Sequence, residues 1–446
     1  MPSRTDSTPR VAVLADSDTR WKWGAMTAYR LQSDIRLDGY LLRGRATPTV
    51  RQLDEVGARA DALREIRGVD FVRSLDRTRY DVIVLACVGG AVQAMLHGLA
   101  HAWSAAAPPA ATGQHRPVVV TGYVGVVYEK LADGLLLRHG ADVVLANSRH
   151  DADRFREVYR GVGADDHSVV ECALPFLGGA RYTGERGPHT VVFAAQPSVP
   201  ESRADRGYLL RRAVEHARTH PGREVLIKLR SKPGEHTTHI EELPYQKLAA
   251  KVPGGLPANC RLVYGNMGEV LDRTDLMVTV SSTAALESLH RGIPTAVLTD
   301  LGVREALGNH HFLGSGCLAS WDELDAGHRP VPDPRWLARQ GVAADGDYDT
   351  AFDAARARVT ALREAGPLPP LAPYYTPRTA PGYLPGILAR HGLDPHGGPL
   401  AGYDEAPEET RGLRRVARET VREAARGAYR HGVQRVAPAI RRWGQL

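Results

Sequence analysis

A chain of 446 residues exceeds what one hydrophobic core usually supports, and 43% apolar with 24% charged residues is ordinary globular composition, so two domains with appendages are expected. Four scattered cysteines, Cys87, Cys172, Cys260 and Cys317, form no CxxC pair, which argues against a zinc or disulfide framework and for a reducing, cytoplasmic setting. The start MPSRTDSTPR lacks the apolar core of a signal peptide, no apolar run reaches the roughly 18 residues of a membrane span, and aromatics at 6% make base stacking an unpromising theme.

The first predicted strand is 10–15 (RVAVLA), followed by the polar loop DSDTRWKWG, a helix over 25–32 and a second strand at 39–42. Residues 81–87 (DVIVLAC) are apolar on both faces, the mark of a strand inside a parallel sheet, and 117–121 and 142–146 repeat the pattern. Helical segments between these runs spell βαβ units. Periodicity is lost around 181–189, read as a hinge between an N-terminal Rossmann-like acceptor domain (1–180) and a C-terminal donor domain (190–330). The second series runs from TVVFAAQ at 190 through a helix at 206–218 to a strand at 224–229 (EVLIKL). Strands at 260–264, 276–280 and 295–299 follow, with helices at 267–273 and 284–291. The predicted fold is therefore α/β, two doubly wound domains facing a cleft, with ligands at the carboxyl ends of the strands. Residues 331–405, rich in Pro, Gly and Tyr, read as an irregular extension, and 406–446 as a basic helical tail. From Arg411 to Arg442 ten Arg stand against two Glu, a local +8 beside +6 for the whole chain, so the remainder is near neutral. That tail suits an anionic membrane surface; no reader motif accompanies it, so nucleic acid is not an expected partner.

The most informative stretch is DRTDLMVTVSSTAALESLHRGIPTAVL, 272–298, where a buried strand runs into Ser281-Ser282-Thr283 and a helix begins at once. Hydroxyls and the first N–H groups of a helix suit a phosphate. The competing reading makes Ser282 or Thr283 only a helix cap and Glu287 an ordinary helix residue. Gln196-Pro197-Ser198, after the first strand of the second series, is either a nucleotide-contacting loop or a plain Pro turn. Arg203 and Arg206 follow it and could reach phosphate.

This segment resembles the donor site of GT-B glycosyltransferases, with strand, Ser/Thr turn, helix carrying Glu287, and then Gly292-Ile293-Pro294. The Ser-Ser-Thr turn most resembles transferases of CMP-activated acidic sugars (polysialyltransferases, capsule Kdo transferases) and the CDP-glycerol glycerophosphotransferases. Those families carry Lys-x-His-Pro at a preceding strand end; here the stretch is Ile227-Lys228-Leu229-Arg230-Ser231-Lys232-Pro233-Gly234-Glu235-His236. Lys232 replaces the His before Pro, so Lys232, Arg230 or His236 would neutralise the leaving phosphate, with Lys228 near the nucleotide phosphate. The resemblance covers 190–300 well and the first half in architecture only. It implies a glycosyltransferase, with a nucleotide-sugar donor, CMP-linked by preference, and a glycan or envelope-polymer acceptor. It also implies no cofactor and no metal, basic groups replacing a metal clamp. CDP-glycerol or UDP-sugar transfer, a sugar-nucleotide 2-epimerase (whose Asp-Ser-Gly-Gly turn is here Val-Ser-Ser-Thr) and a non-enzymatic nucleotide-sugar-binding scaffold are the alternatives.

Transfer with inversion needs a group that takes the acceptor proton. Asp16 and Asp18, after the first strand, are candidates, with Glu129 in the Gly122–Lys130 loop as runner-up. An Asx turn capping the next helix explains the aspartates equally. Lys22, with Trp21 and Trp23, either holds an anionic sugar or packs.

Overall fold

The computed structural model describes residues 8–44, 46–105, 116–126, 131–184, 189–232, 235, 241, 243–342 and 348–402. Glu129, His236 and the basic tail lie outside the described residues. By internal contacts these fall into two compact units, 179–332 and a first unit that joins 8–178 to 333–402.

Short β-branched runs flanked by polar loops become strands wherever both faces are covered by helices, and that happens in both units. The first unit holds β1 (Arg10–Ala15), β2 (Arg36–Leu42), β3 (Ala62–Ile66), β4 (Val82–Ala86), β5 (Val118–Gly122), β6 (Val143–Ala146) and β7 (Val169–Glu171). They form one parallel sheet in the order β3-β2-β1-β4-β5-β6-β7. The second unit repeats the winding with β8 (Thr190–Ala194), β9 (Glu224–Lys228), β10 (Cys260–Val263), β11 (Leu276–Thr279), β12 (Thr295–Leu298) and β13 (Leu318–Ala319). Its order is β10-β9-β8-β11-β12-β13, again parallel throughout. Winding reverses between β1 and β4 and between β8 and β11, so each unit has one switch point at its carboxyl edge, where a doubly wound sheet opens a crevice.

The cores follow from the sequence runs. Val82–Ala86 and Thr190–Ala194 are buried at every position, each large aliphatic side chain contributing about 1.5–3 kcal/mol relative to exposure. Trp21 and Trp23 are fully buried, their indole N–H groups donating to Ala58 O (3.2 Å) and Asn147 Oδ1 (3.3 Å). Of the two readings of this pair, packing is the one realised. The four cysteines are buried free thiols.

Residues 331–405 depart from the irregular extension expected of them. Helices form at Pro334–Arg339, Asp353–Glu364 and Leu384–Ala389, and the described residues from 333 to 402 belong to the first unit. Short helices separated by Pro and Gly carry little periodicity to read; the apolar face of the first unit stabilises them, Leu371, Leu384, Leu388 and Leu393 entering its core. Among the described residues no helix is long and apolar enough to cross a membrane.

Candidate functional site

In the second unit the switch point gathers three loops. β8 delivers Gln196, β9 delivers Lys228 and Arg230, and β11 delivers Ser281, Ser282 and Thr283. Gln196 fastens two of them together: its Oε1 accepts from the Ser281 N–H at 2.9 Å, and its Nε2 donates to Ser281 Oγ at 3.2 Å. Ser281 is buried and its hydroxyl donates to Leu307 O at 2.6 Å, so it fixes the turn from beneath. Ser282 does what the capping reading asks, its Oγ accepting from the Ala284 N–H at 3.2 Å, while its own N–H donates to Thr279 Oγ1. The helix Ala284–His290 has only seven residues, so its dipole is slight. Thr283 is half-buried, and among the described residues its hydroxyl and N–H make no hydrogen bond. Glu287 is buried in the first turn of that helix.

The Lys228 ammonium is buried and donates to Leu229 O at 2.7 Å. Arg230 is half-buried at the same strand end and Lys232 is exposed, its ammonium 5.9 Å from the centre of the Tyr264 ring. Three of the sequence-predicted elements therefore do share one strand edge.

Arg206, which on sequence could reach phosphate or be merely solvated, does neither in the structure. Its guanidinium, 1% exposed, donates to the carbonyls of Gln196, Pro197, Pro200 and Leu243 and to Glu241 Oε1 at 2.8 Å, lying on the Tyr245 ring. Burial lifts the Glu241 carboxyl above its usual range despite that partner. Arg206 thus holds the loop that carries Gln196. Sequence reasoning missed this because an Arg opening an amphipathic helix looks like a solvated one.

At the first unit's switch point both carboxylate oxygens of Asp16 are engaged, Oδ1 with Arg20 (2.9 Å) and Oδ2 with the Val88 N–H (2.9 Å) that precedes the helix Gly89–Ala105. Asp18 opens the helix Asp18–Leu31, whose cap is Ser17 rather than an Asx turn. Lys22 stands 4.6 Å from the centre of the Phe176 ring. Two features escaped the sequence reading. Arg138 is buried and, among the described residues, has no carboxylate partner; it donates to the carbonyls of Gly122 (3.0 Å), Gly134 (2.7 Å) and Cys87 (3.2 Å) and stacks 4.0 Å over Tyr123. His391, from the returning C-terminal segment, packs against Gly68 at this same edge, where an added Cβ would meet its Cβ at 3.0 Å. Neither has a local signal, since tertiary contacts create both environments.

Among the described residues two groups bring three potential metal ligands together, His216/His220/Asp325 and Asp165/Asp166/His167. The first sits at the far end of the helix Arg203–Thr219, and Asp325 there already pairs with His216 and Arg212. Neither group includes a sequence-predicted site residue.

Two doubly wound parallel sheets in one chain are the architecture of GT-B enzymes. This chain is a glycosyltransferase of that fold: it belongs to the family described as "Putative glycosyltransferase (DUF6716)", whose model matches residues 11–362. No curated protein matched its sequence. Solved structures similar to it include HepE from Anabaena in complex with UDP and glucose (12% identity, 80% of this chain and 98% of that one, TM-score 0.45). UDP-GlcNAc 2-epimerase from Neisseria meningitidis bound to UDP-GlcNAc is another (11%, 79% and 99%, TM-score 0.45). A third is the spinosyn rhamnosyltransferase SpnG with thymidine diphosphate (15%, 80% and 97%, TM-score 0.39).

Proposed function

We propose that this glycosyltransferase takes a CMP-linked acidic sugar as donor and extends a cell-envelope glycan or polymer on the cytoplasmic side of the membrane. One observation carries the donor site: the loops after β8, β9 and β11 meet at a single switch point, tied by Gln196 to Ser281, with the hydroxyl and N–H of Thr283 unengaged among the described residues. A monophosphate link needs a compact cradle, and Ser282 and Thr283 with Arg230 and Lys232 nearby supply donors and charge on that scale. Lys228 and Ser281 support the cradle from below, and Glu287 and His236 complete the donor-side set. On the acceptor side the carboxylates Asp16, Asp18 and Glu129 and the cation Lys22 remain the proposed group, and the basic tail would hold the enzyme to anionic lipid.

Calorimetric titration of the full chain with CMP, UDP and GDP tests the donor. CMP should bind most tightly, and replacing both Ser282 and Thr283 by Ala should weaken it more than tenfold without unfolding the protein. A clear preference for UDP or GDP overturns the cytidine assignment; unchanged CMP affinity in the double variant overturns the cradle. A CDP-glycerol donor is the second reading, because it shares the cytidine and the Ser-Ser-Thr resemblance.

A further inference from the structure

One side-chain cluster of the second unit has no part in donor or acceptor binding. It lies where the helix Arg203–Thr219 ends, at the amino edge of the sheet just before β9. His216 is about 20 Å along that helix from Arg203 at roughly 1.5 Å per residue, well away from the Gln196–Ser281 edge. His216 and His220 are four residues apart, so one helical turn brings their rings together, centroids 4.6 Å apart. Asp325, the last residue of the helix Trp321–Asp325, completes the group. Its Oδ1 is 2.5 Å from His216 Nδ1 and 3.8 Å from His220 Nε2, and the three atoms lie within 4.8 Å of one another. Ligand atoms bound at about 2.0–2.1 Å around a tetrahedral ion stand roughly 3.3 Å apart, so shifts on the order of one ångström would enclose an ion here.

The His220 Nε2 is buried, yet it hydrogen-bonds to nothing among the described residues, since 3.8 Å to Asp325 is too long. A buried ring nitrogen in that state costs free energy, and a cation bound at its lone pair would satisfy it. The backbone around it is fixed. The His220 N–H donates to His216 O at 3.0 Å, and Asn259 Nδ2 donates to the carbonyls of Ala217 (2.8 Å), His220 (3.4 Å) and Arg223 (2.8 Å). Arg212 holds Asp325 Oδ2 at 2.9 Å and Asp322 Oδ1 at 2.7 Å, orienting the carboxylate from behind. The cluster also sits at the negative end of a 17-residue helix, which favours positive charge.

We propose that His216 Nδ1, His220 Nε2 and Asp325 Oδ1 form a structural site for a divalent transition-metal ion of the zinc class, with water in the fourth position. Two imidazoles and one carboxylate suit zinc, whereas magnesium and calcium take oxygen ligands. At its distance from the donor edge the ion takes no part in sugar transfer; it pins the end of Arg203–Thr219 to Trp321–Asp325. One contact competes with it. Arg223 Nη1 lies 3.2 Å from His216 Nε2, and a guanidinium can only donate, so without the ion Nε2 carries the lone pair and Nδ1 the proton. Coordination through Nδ1 moves that proton to Nε2 and turns Arg223 away.

The test uses the full chain, stripped with EDTA, returned to chelator-free buffer and titrated calorimetrically with ZnCl2. One equivalent should bind and raise Tm by at least about 3 °C. Comparable binding of MgCl2 or CaCl2 overturns the zinc class. His220→Ala removes a ring that makes no hydrogen bond among the described residues, so it should fold normally. It should weaken Zn2+ binding by more than the roughly tenfold that losing a partner behind a ligand costs, and Asp325→Asn should do the same. Asp166→Asn, in the other three-residue group, should leave the affinity unchanged. Arg223→Gln should tighten binding several-fold, because the amide oxygen can accept from the Nε2–H that the guanidinium repels. A wild type that binds no Zn2+, or an affinity that survives both His220→Ala and Asp325→Asn, overturns the site. Weaker binding in Arg223→Gln overturns His216 Nδ1 as the ligand.

Discussion

The two units share one winding and differ in what they put at its switch point. In the second unit the edge is braced by neutral ties, Gln196 to Ser281 and Ser281 to Leu307, and by one buried arginine that serves the loop rather than a ligand. In the first unit the same place carries charge: Asp16 with Arg20, and Arg138 sunk among carbonyls. A fold therefore fixes where chemistry can occur but not its kind. A braced edge suits holding a ligand of fixed shape, and a charged one suits moving a proton.

If bracing is what distinguishes the second unit, removing its arginine should have the largest effect on stability. Arg206→Met keeps most of the stem volume but leaves Glu241 without its cation and four main-chain carbonyls without a donor. The expected loss is about 3–5 kcal/mol. Native-state hydrogen exchange of the β8 and β11 amides reads it separately from the first unit. Protection unchanged at both strands would mean the loop is not held by this residue.

The strands were legible because parallel strands buried on both faces print as bare apolar runs, and Val82–Ala86, Val118–Gly122 and Thr190–Ala194 are such runs. β3, with Ala62, Leu63, Arg64 and Glu65 exposed, is an edge strand held by its pairing to β2, so its sequence reads as loop. The Ser281–Thr283 turn was visible as strand, hydroxyl cluster and helix in immediate succession. What each hydroxyl does was not, because Ser281 and Ser282 are distinguished only by Leu307 and Ala284, their tertiary and local partners. The packing of His391 on Gly68 was invisible for a stronger reason: hundreds of residues separate the two, and only the return of 333–402 to the first unit brings them together.

A second contrast sits deeper in the first unit. Asp151, in the first turn of the helix Arg149–Gly161, is buried, its Oδ1 without a hydrogen-bond partner among the described residues, and burial pushes its carboxyl up to about 6. An acid whose folded pKa is raised costs stability as pH rises, because the unfolded chain ionises first. The penalty grows between roughly pH 4 and pH 6 and stays constant above. Asp151→Asn should therefore raise stability by about 2 kcal/mol at pH 7, after some loss of favourable charge at the helix start, and change it little at pH 4. Thermal unfolding at both pH values checks this; an equal gain at pH 4 would assign the effect to packing instead.

The smallest effect sharpens the comparison most, because it separates bracing from binding. Gln196 is half-buried, and its side chain is hydrogen-bonded to the N–H and hydroxyl of Ser281 while its carbonyl accepts from Arg206. Gln196→Leu retains much of the volume and removes both. The Ser281 N–H is then left without its acceptor, but water can reach the half-buried loop, so the stability cost should be only about 1 kcal/mol. Binding should suffer more than stability does. The tie sets the separation of the loops after β8 and β11, and a cradle displaced by a fraction of an ångström loses hydrogen bonds to every phosphate oxygen it serves. Calorimetry should find CMP bound roughly tenfold more weakly. If CMP affinity falls only in step with the lost stability, the Gln196–Ser281 tie is structural and the donor's phosphate lies elsewhere on that edge.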